Sequence, residues 1–449
     1  MTFQEFIEDL NRRIGIALPE VWTALTEVQL AQRFLERLNE YFFQTYEGIG
    51  TVTFEGDELL YFSEFHKFWE AHHQEILQAR IDRTQARMAA QALSDAIKRY
   101  GRAILSVTHE THGLPPQAIA QVRFFTANQE FRSPPKDQFG KYLENPLRFE
   151  AQEVANDPMG FLQFLGITRL SQTDKRLDFA RNAAKFLLDN EMTAFAMAQR
   201  FGNNAVAIRN ALISMPNMGY GLKKANMFIR DMVELGVWQD LEDFDEVDVA
   251  SDINTMKLAL RTRILRTAIP LLSSFLDIFC YQYSYIDQMS ARAWRTVWEE
   301  WQQVDPNTAP LSPCQMDFLL YRIGREYCNE KLVRYVCEKG HVFYHFGAGM
   351  KHCRLCYAKG QRVRAQAIER LLPCQVDSAD LPREGGHLLL NAENMLYTFD
   401  GVCIFEPVCK PKEEDFHALN PPKSISVKGQ TSWTNSYAYR NRGGGGMMA

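Results

Sequence analysis

The chain has 449 residues, 46% of them hydrophobic and 23% charged, with a formal net charge of −5. That length exceeds one comfortable core, so two or three globular domains are expected. The balance excludes a uniformly basic surface, and any polyanion-binding face must be local.

The N-terminus (Met1, Thr2, Phe3, Gln4, Glu5) has neither a basic nor an apolar leader region, so no secretory signal is read there. Residues 268–286 form the most apolar run, but Asp277 and several Ser, Gln and Tyr interrupt it. They read as a buried helix rather than a membrane span. Nine cysteines without a signal peptide point to a reducing compartment and a metal site instead of a disulfide framework. A cytoplasmic protein is expected.

From the start to Leu105 the pattern is helical. Leu30, Phe34, Leu35, Leu38 and Phe42 recur at helical spacing, and residues 62–105 continue with little Gly or Pro. Residues 51–54 are a candidate strand. Pro115-Pro116 and Pro134-Pro135 punctuate a looser stretch, which closes an N-terminal helical region of unknown role at residues 1–150.

Residues 151–335 are helical again. Phe179, Ala183, Phe186 and Leu187 share one face, Asn203-Asn204 break the pattern, and residues 205–214 form the helix before a turn. After the turn, Ala225, Phe228, Ile229 and Met232 are the buried stripe of a second helix. An acidic linker (240–248) leads to a helix opening at Asp252, and further helices are expected through 264–301 and 314–335. Residues 336–420 shift to Cys, His, Gly and aromatics, and the Ser-, Asn-, Tyr- and Gly-rich residues 421–449 read as a disordered tail.

The turn carries the most chemistry: Met215-Pro-Asn-Met-Gly-Tyr-Gly-Leu-Lys-Lys-Ala225. Gly219, Gly221 and Asn217 tolerate the backbone angles of a tight turn, and the N–H groups of such a turn and of the helix after it suit a phosphate oxygen. That contact is independent of DNA sequence. Lys223 follows as a candidate amine nucleophile, and Asp252 as a candidate carboxylate. Each has a structural alternative. A lysine after Gly-x-Gly is common, and Asp is among the best N-cap residues. Asp248 competes with Asp252, but the helical run begins after Asp252.

Gly219-Tyr-Gly-Leu-Lys-Lys-Ala225 resembles the G-x-G-x-K-x-A hairpin of the helix–hairpin–helix DNA glycosylase superfamily, and Asp252-Ile-Asn-Thr-Met-Lys resembles its catalytic-aspartate helix. The long linker between them is closest to the archaeal 8-oxoguanine glycosylase branch, as is the stretch Leu311 to Cys328. The resemblance spans 157–335 and leaves out the N-terminal third and C-terminal quarter. It implies a mostly α fold, double-stranded DNA as partner, and a base flipped into an aromatic-lined pocket. By position, Lys223 attacks the sugar C1′ and Asp252 stabilises the positive charge developing on the sugar. Attack by an amine leaves a Schiff base and permits strand cleavage as an abasic-site lyase. Lys224 lies about 100° further round the helix and is a candidate DNA contact with Asn217, Gly219 and Gly221. A monovalent cation at the hairpin is a candidate second ion.

Cys337-x3-His341 and Cys353-x2-Cys356 are two ligand pairs whose chemistry suits a closed, structural tetrahedral zinc, and the segment resembles a zinc ribbon. His345 and His352 are alternatives to His341. Arg322, Arg325, Lys331, Arg334, Lys339, Lys351, Arg354, Lys359, Arg362 and Arg364 cluster around these pairs, with Arg354 and Lys359 as candidate phosphate contacts. The resemblance therefore implies a base-excising DNA glycosylase, with a role either in repair or against phage DNA carrying modified bases. A non-catalytic DNA-binding scaffold built on hairpin and ribbon is the alternative.

Overall fold

The computed structural model describes residues 26, 28–33, 72–106, 109–130, 137–167, 173–268, 285–326, 332–346, 351–371, 388–389 and 403–409. Among them the protein is mostly helical. Strand β1 (Arg80–Ile81) precedes α1 (Arg83–Tyr100). Then come α2 (Pro116–Ala127), α3 (Gln138–Glu144), α4 (Ala151–Asn156), α5 (Pro158–Phe164), α6 (Thr173–Asp189), α7 (Met197–Arg200), α8 (Ala205–Ser214) and α9 (Leu222–Glu234). Helix α10 (Ile253–Arg261), strand β2 (Leu265–Arg266), α11 (Tyr285–Val304) and α12 (Asp317–Glu326) follow. Last are β3 (Leu332–Cys337), β4 (Val342–Phe346), the single turn α13 (Arg354–Tyr357), β5 (Ala365–Leu371) and β6 (Leu388–Leu389). No helix of the described residues is long and apolar enough to cross a membrane. The expected strand at 51–54, the periodic residues 34–42 and the tail at 421–449 lie outside the described residues.

The chain forms two compact units that do not follow chain order. Among the described residues, one joins those up to Ile104 with Asp252–Pro306 and those from Leu320 on; the other joins Leu105–Ser251 with Asn307–Leu319.

The second unit is built around α2. Pro116 at its first turn costs no helical hydrogen bond, and nearly every later residue of the helix is buried. Phe124 packs on Phe186, Tyr220 and Phe228, and Phe125 on Phe161. The stripe expected on α9 is fully buried at Ala225, Phe228, Ile229 and Met232.

In the first unit, α1 packs along α11. Ala86, Ala89 and Ala90 present small side chains that allow close approach beside the buried Leu93, and Trp294, Val297 and Trp301 are buried on α11. Asp305 accepts from Ser94 at 2.8 Å and pairs with Lys98 at 2.8 Å, fixing the register. The helix expected over residues 62–105 is interrupted: Gln78 adopts a left-handed φ of 45° and β1 pairs antiparallel with β2. The helix expected over 314–335 is shorter as well. A 3-10 turn (Pro313–Met316) leads into α12, and Leu332 starts a strand instead. The run Leu-Val-Arg-Tyr-Val suits a pleated surface, and β3 pairs with β4 on one side and β5 on the other.

Candidate functional site

Helices α8 and α9 are joined by a tight hairpin through Met215–Gly221. Asn217 (φ 53°) and Gly219 (φ 80°) both take the left-handed region. At Gly219 a Cβ would fall 2.8 Å from the Phe179 ring and 3.1 Å from Asn128 Cβ, so only glycine fits. Tyr220, between the glycines, turns into the core and its hydroxyl donates to the Phe124 carbonyl at 2.7 Å. The hairpin carbonyls are engaged: Asn182 donates to Asn217 O at 3.0 Å, and Asn128 to Met218 O at 3.1 Å. Gly221 differs. Its φ of −96° suits any residue and a Cβ there would meet nothing within 4 Å. It is exposed, and no side chain caps the helix that it opens. The fold does not demand glycine at this position.

Lys223 lies in the first turn of α9, half-buried. Lys224 turns inward. Its Nζ donates to the Asn128 carbonyl at 2.6 Å and sits 5.9 Å from the Phe179 ring centre. Arg176 donates to the next carbonyl, Gln129 O, at 3.1 Å, so two cations meet the negative end of α2. Burial lowers Lys224 to a pKa of about 7; Glu130 opposes this, and the charges of Lys223 and Arg176 add to it.

Deeper along α9, Asp231 is fully buried yet charged. Burial pushes its carboxyl up, but Arg230 and Arg123 outweigh this and hold it at about 2. Arg123 reaches it from α2 at 3.2 Å, and Arg230 also bonds Asp317. His109, 3.9 Å from the same carboxylate, is lowered to about 4 by burial and by Arg123. This network fixes α9 on α2 and thereby the helix start that carries Lys223. Nothing in the sequence paired these residues. Arg123 and Asp231 alone lie 108 positions apart.

Asp252, buried in the other unit, is the N-cap of α10. One carboxylate oxygen accepts from Asn254 N at 2.8 Å and Thr255 N at 3.0 Å, while the Thr255 hydroxyl accepts from Asp252 N at 2.8 Å, a complete capping box. The helix starts after Asp252, not after Asp248, whose carbonyl accepts from Asn226 at 3.1 Å. The first turn of α10 is held by two residues that the sequence reading did not single out. Trp294 donates to Thr255 O at 3.2 Å, and Gly324 packs so closely that a Cβ would lie 2.4 Å from Asn254 O.

The metal-ligand candidates do converge. Cys337 ends β3, a turn through Gly340 (φ 77°) brings back His341, and the α13 turn presents Cys353 and Cys356. The four ligand atoms lie within 4.8 Å of one another. His341 Nδ1 stands 3.5, 3.9 and 3.3 Å from the sulfurs of Cys337, Cys353 and Cys356. A tetrahedral zinc with ordinary bond lengths needs S···N edges of about 3.6 Å, so the set fits the ion. His341 is therefore the histidine of the cluster. His345 packs edge-on against Tyr335, and His352 bridges Arg364. Burial pushes the Cys356 thiol up to about 11, with the Cys353 and Cys337 sulfurs adding to it; binding of a divalent cation selects the thiolates instead. Lys359 is exposed beside this cluster, and the side chain of Arg354 lies outside the described residues.

No family model matches this chain, and no curated protein matches it significantly.

Proposed function

We propose that this protein is a DNA glycosylase that binds duplex DNA through the α8–α9 hairpin and excises a modified base. One observation carries the reading. An exposed, uncapped helix start opens with a glycine that the fold itself does not require and places Lys223 in its first turn. A glycine free of internal constraint lets a phosphate approach the helix N–H groups closely. Lys223, as the neutral amine, attacks the sugar C1′ as the base departs with the bonding pair, and the base takes up the proton that the alkylated amine sheds. Ring opening then gives a Schiff base, and β-elimination releases the 3′ phosphate. Asp252 supplies negative charge to the oxocarbenium-like sugar. The Cys337–His341–Cys353–Cys356 set holds a structural zinc that keeps the basic ribbon folded as a second DNA contact. A second reading, a non-catalytic DNA-binding scaffold, is favoured by the engagement of the Asp252 carboxylate in its cap, one oxygen accepting from two backbone N–H groups and the other from Asn254 Nδ2.

Borohydride trapping decides between them. Duplexes carrying 8-oxoguanine, alkylated, deaminated, hydroxymethylated or glucosylated bases are incubated with the protein, and released base and covalent adduct are measured. Lys223→Gln should abolish the adduct. Asp252→Asn retains a good cap residue and should slow excision roughly 100-fold by removing charge alone, with duplex affinity unchanged in both variants. Binding without release of any base in the panel establishes the scaffold. The base released also assigns the role, since lesions and the hypermodified bases of phage DNA are separate arms.

A further inference from the structure

The loop that carries the second cysteine pair is basic and free of acids. Residues 351–364 contain Lys351, Arg354, Lys359, Arg362 and Arg364 and no acidic residue. Lys351, Lys359, Arg362 and Arg364 are exposed. None of these four has a carboxylate of the described residues within ion-pair distance. In the same loop stands Tyr357, 61% exposed and the only aromatic ring among the strongly exposed large apolar side chains described.

The loop is also rigid. Tyr357 N donates to Cys353 O at 2.9 Å, Gln361 N to Cys356 O at 2.9 Å and Cys353 N to Val363 O at 2.8 Å, with Gly360 at a φ of 73°. Lys339 reaches across to the Gln361 side chain. An exposed ring on a fixed loop loses little conformational freedom when something covers it.

We infer that this loop binds unpaired DNA, with Tyr357 stacking on the face of one base and Lys359, Arg362 and Arg364 contacting the flanking phosphates. The two features together select the ligand. Unpaired cations attract any polyanion, duplex included. In a duplex, however, base faces are hidden in the stack and only edges and backbone are presented, so an exposed ring gains a partner only where a base is unstacked. A single strand offers ring face and phosphate at adjacent positions, matching a tyrosine two residues from a lysine. The inference rests on the DNA-binding half of the proposed function and not on the chemistry of Lys223.

The test is fluorescence anisotropy of the full-length protein with a labelled oligothymidine of about twelve nucleotides, the span of a typical single-strand site, and with a duplex of the same length. Tyr357→Ala should weaken oligothymidine binding at least about fivefold, the lower end for loss of one base–aromatic stack, while Tyr357→Phe and the duplex arm stay within about twofold. A loss smaller than about threefold, or an equal loss on the duplex, overturns the inference. Tighter binding of oligouridine than oligothymidine overturns the assignment to DNA. The trapping assay on the same variants separates the two proposals. Base release with an inert Tyr357→Ala variant defeats only this inference, and a Tyr357 effect without base release defeats only excision.

Discussion

Lys224 is a lysine that gives up much of its charge to reach its partner. Its amine donates to Asn128 O at 2.6 Å in a setting where burial brings its pKa to about 7. The unfolded chain, with an ordinary lysine pKa near 10.5, holds that proton over the window from about 7 to 10.5. The unfolded state thus binds more protons there, so this group makes stability rise with pH across the window; below about 7 both states are protonated and its contribution is flat. Replacing Lys224 with Met removes that rise. The gain in unfolding free energy between about pH 7 and pH 9 should shrink by on the order of 2 kcal/mol, read from urea titrations at the two pH values. An unchanged pH slope would show that Lys224 keeps an ordinary pKa in the folded protein.

The hairpin is the element where the two glycines part company. Gly219 is held by φ 80° and by the Phe179 ring 2.8 Å from where a Cβ would stand. Gly219→Ala should therefore destabilise the protein, by about 1–3 kcal/mol for strain and overpacking together, and weaken duplex binding with it. Gly221→Ala meets open space at φ −96°. It should leave thermal stability unchanged within about 0.5 kcal/mol yet weaken duplex binding, because the added methyl stands where a phosphate approaches. Equal duplex affinity for Gly221→Ala and wild type would remove the hairpin from the DNA interface. The sequence exposed the hairpin and the two candidate metal-ligand pairs because each is local, with partners a few residues apart and residue types fixed by geometry. It did not pair Asn128 with Phe179 or Arg123 with Asp231, since apolar and charged patterns along a helix do not name a partner 51 or 108 residues away. It also ran the closing helix on to Tyr335, where Leu332–Cys337 is a strand; a short apolar run fits either period, and only pairing with β4 and β5 decides. Three candidate histidines stayed open for the same reason: spacing admits all of them, and the fold turns only His341 to the sulfurs.

At the scale of the whole molecule, the described cores are unequal. The second unit is organised by one large apolar cluster reaching from Ile119 to Cys314, whereas the ribbon has its own core of Val333, Tyr335, Cys337, Phe343, Cys353, Cys356 and Val363. Three of those seven ribbon residues are cysteines of the candidate metal site, so apolar burial alone is small and a bound metal would supply the rest of the stability. With a net charge of −5, the acid-free stretch 351–364 can act as a local positive surface only while it stays ordered. Cys356→Ser should therefore lower bound zinc by one ion per chain, measured by elemental mass spectrometry. It should also raise hydrogen exchange across 332–371 while peptides from 116–247, which lie in the larger core, keep wild-type protection. The same variant should lose single-strand affinity with Tyr357 unaltered, since the ring and the cations around it depend on the knuckle for their spacing. If zinc is lost and exchange in 332–371 does not change, the ribbon folds on its side chains alone and the cluster is a passenger rather than its keystone.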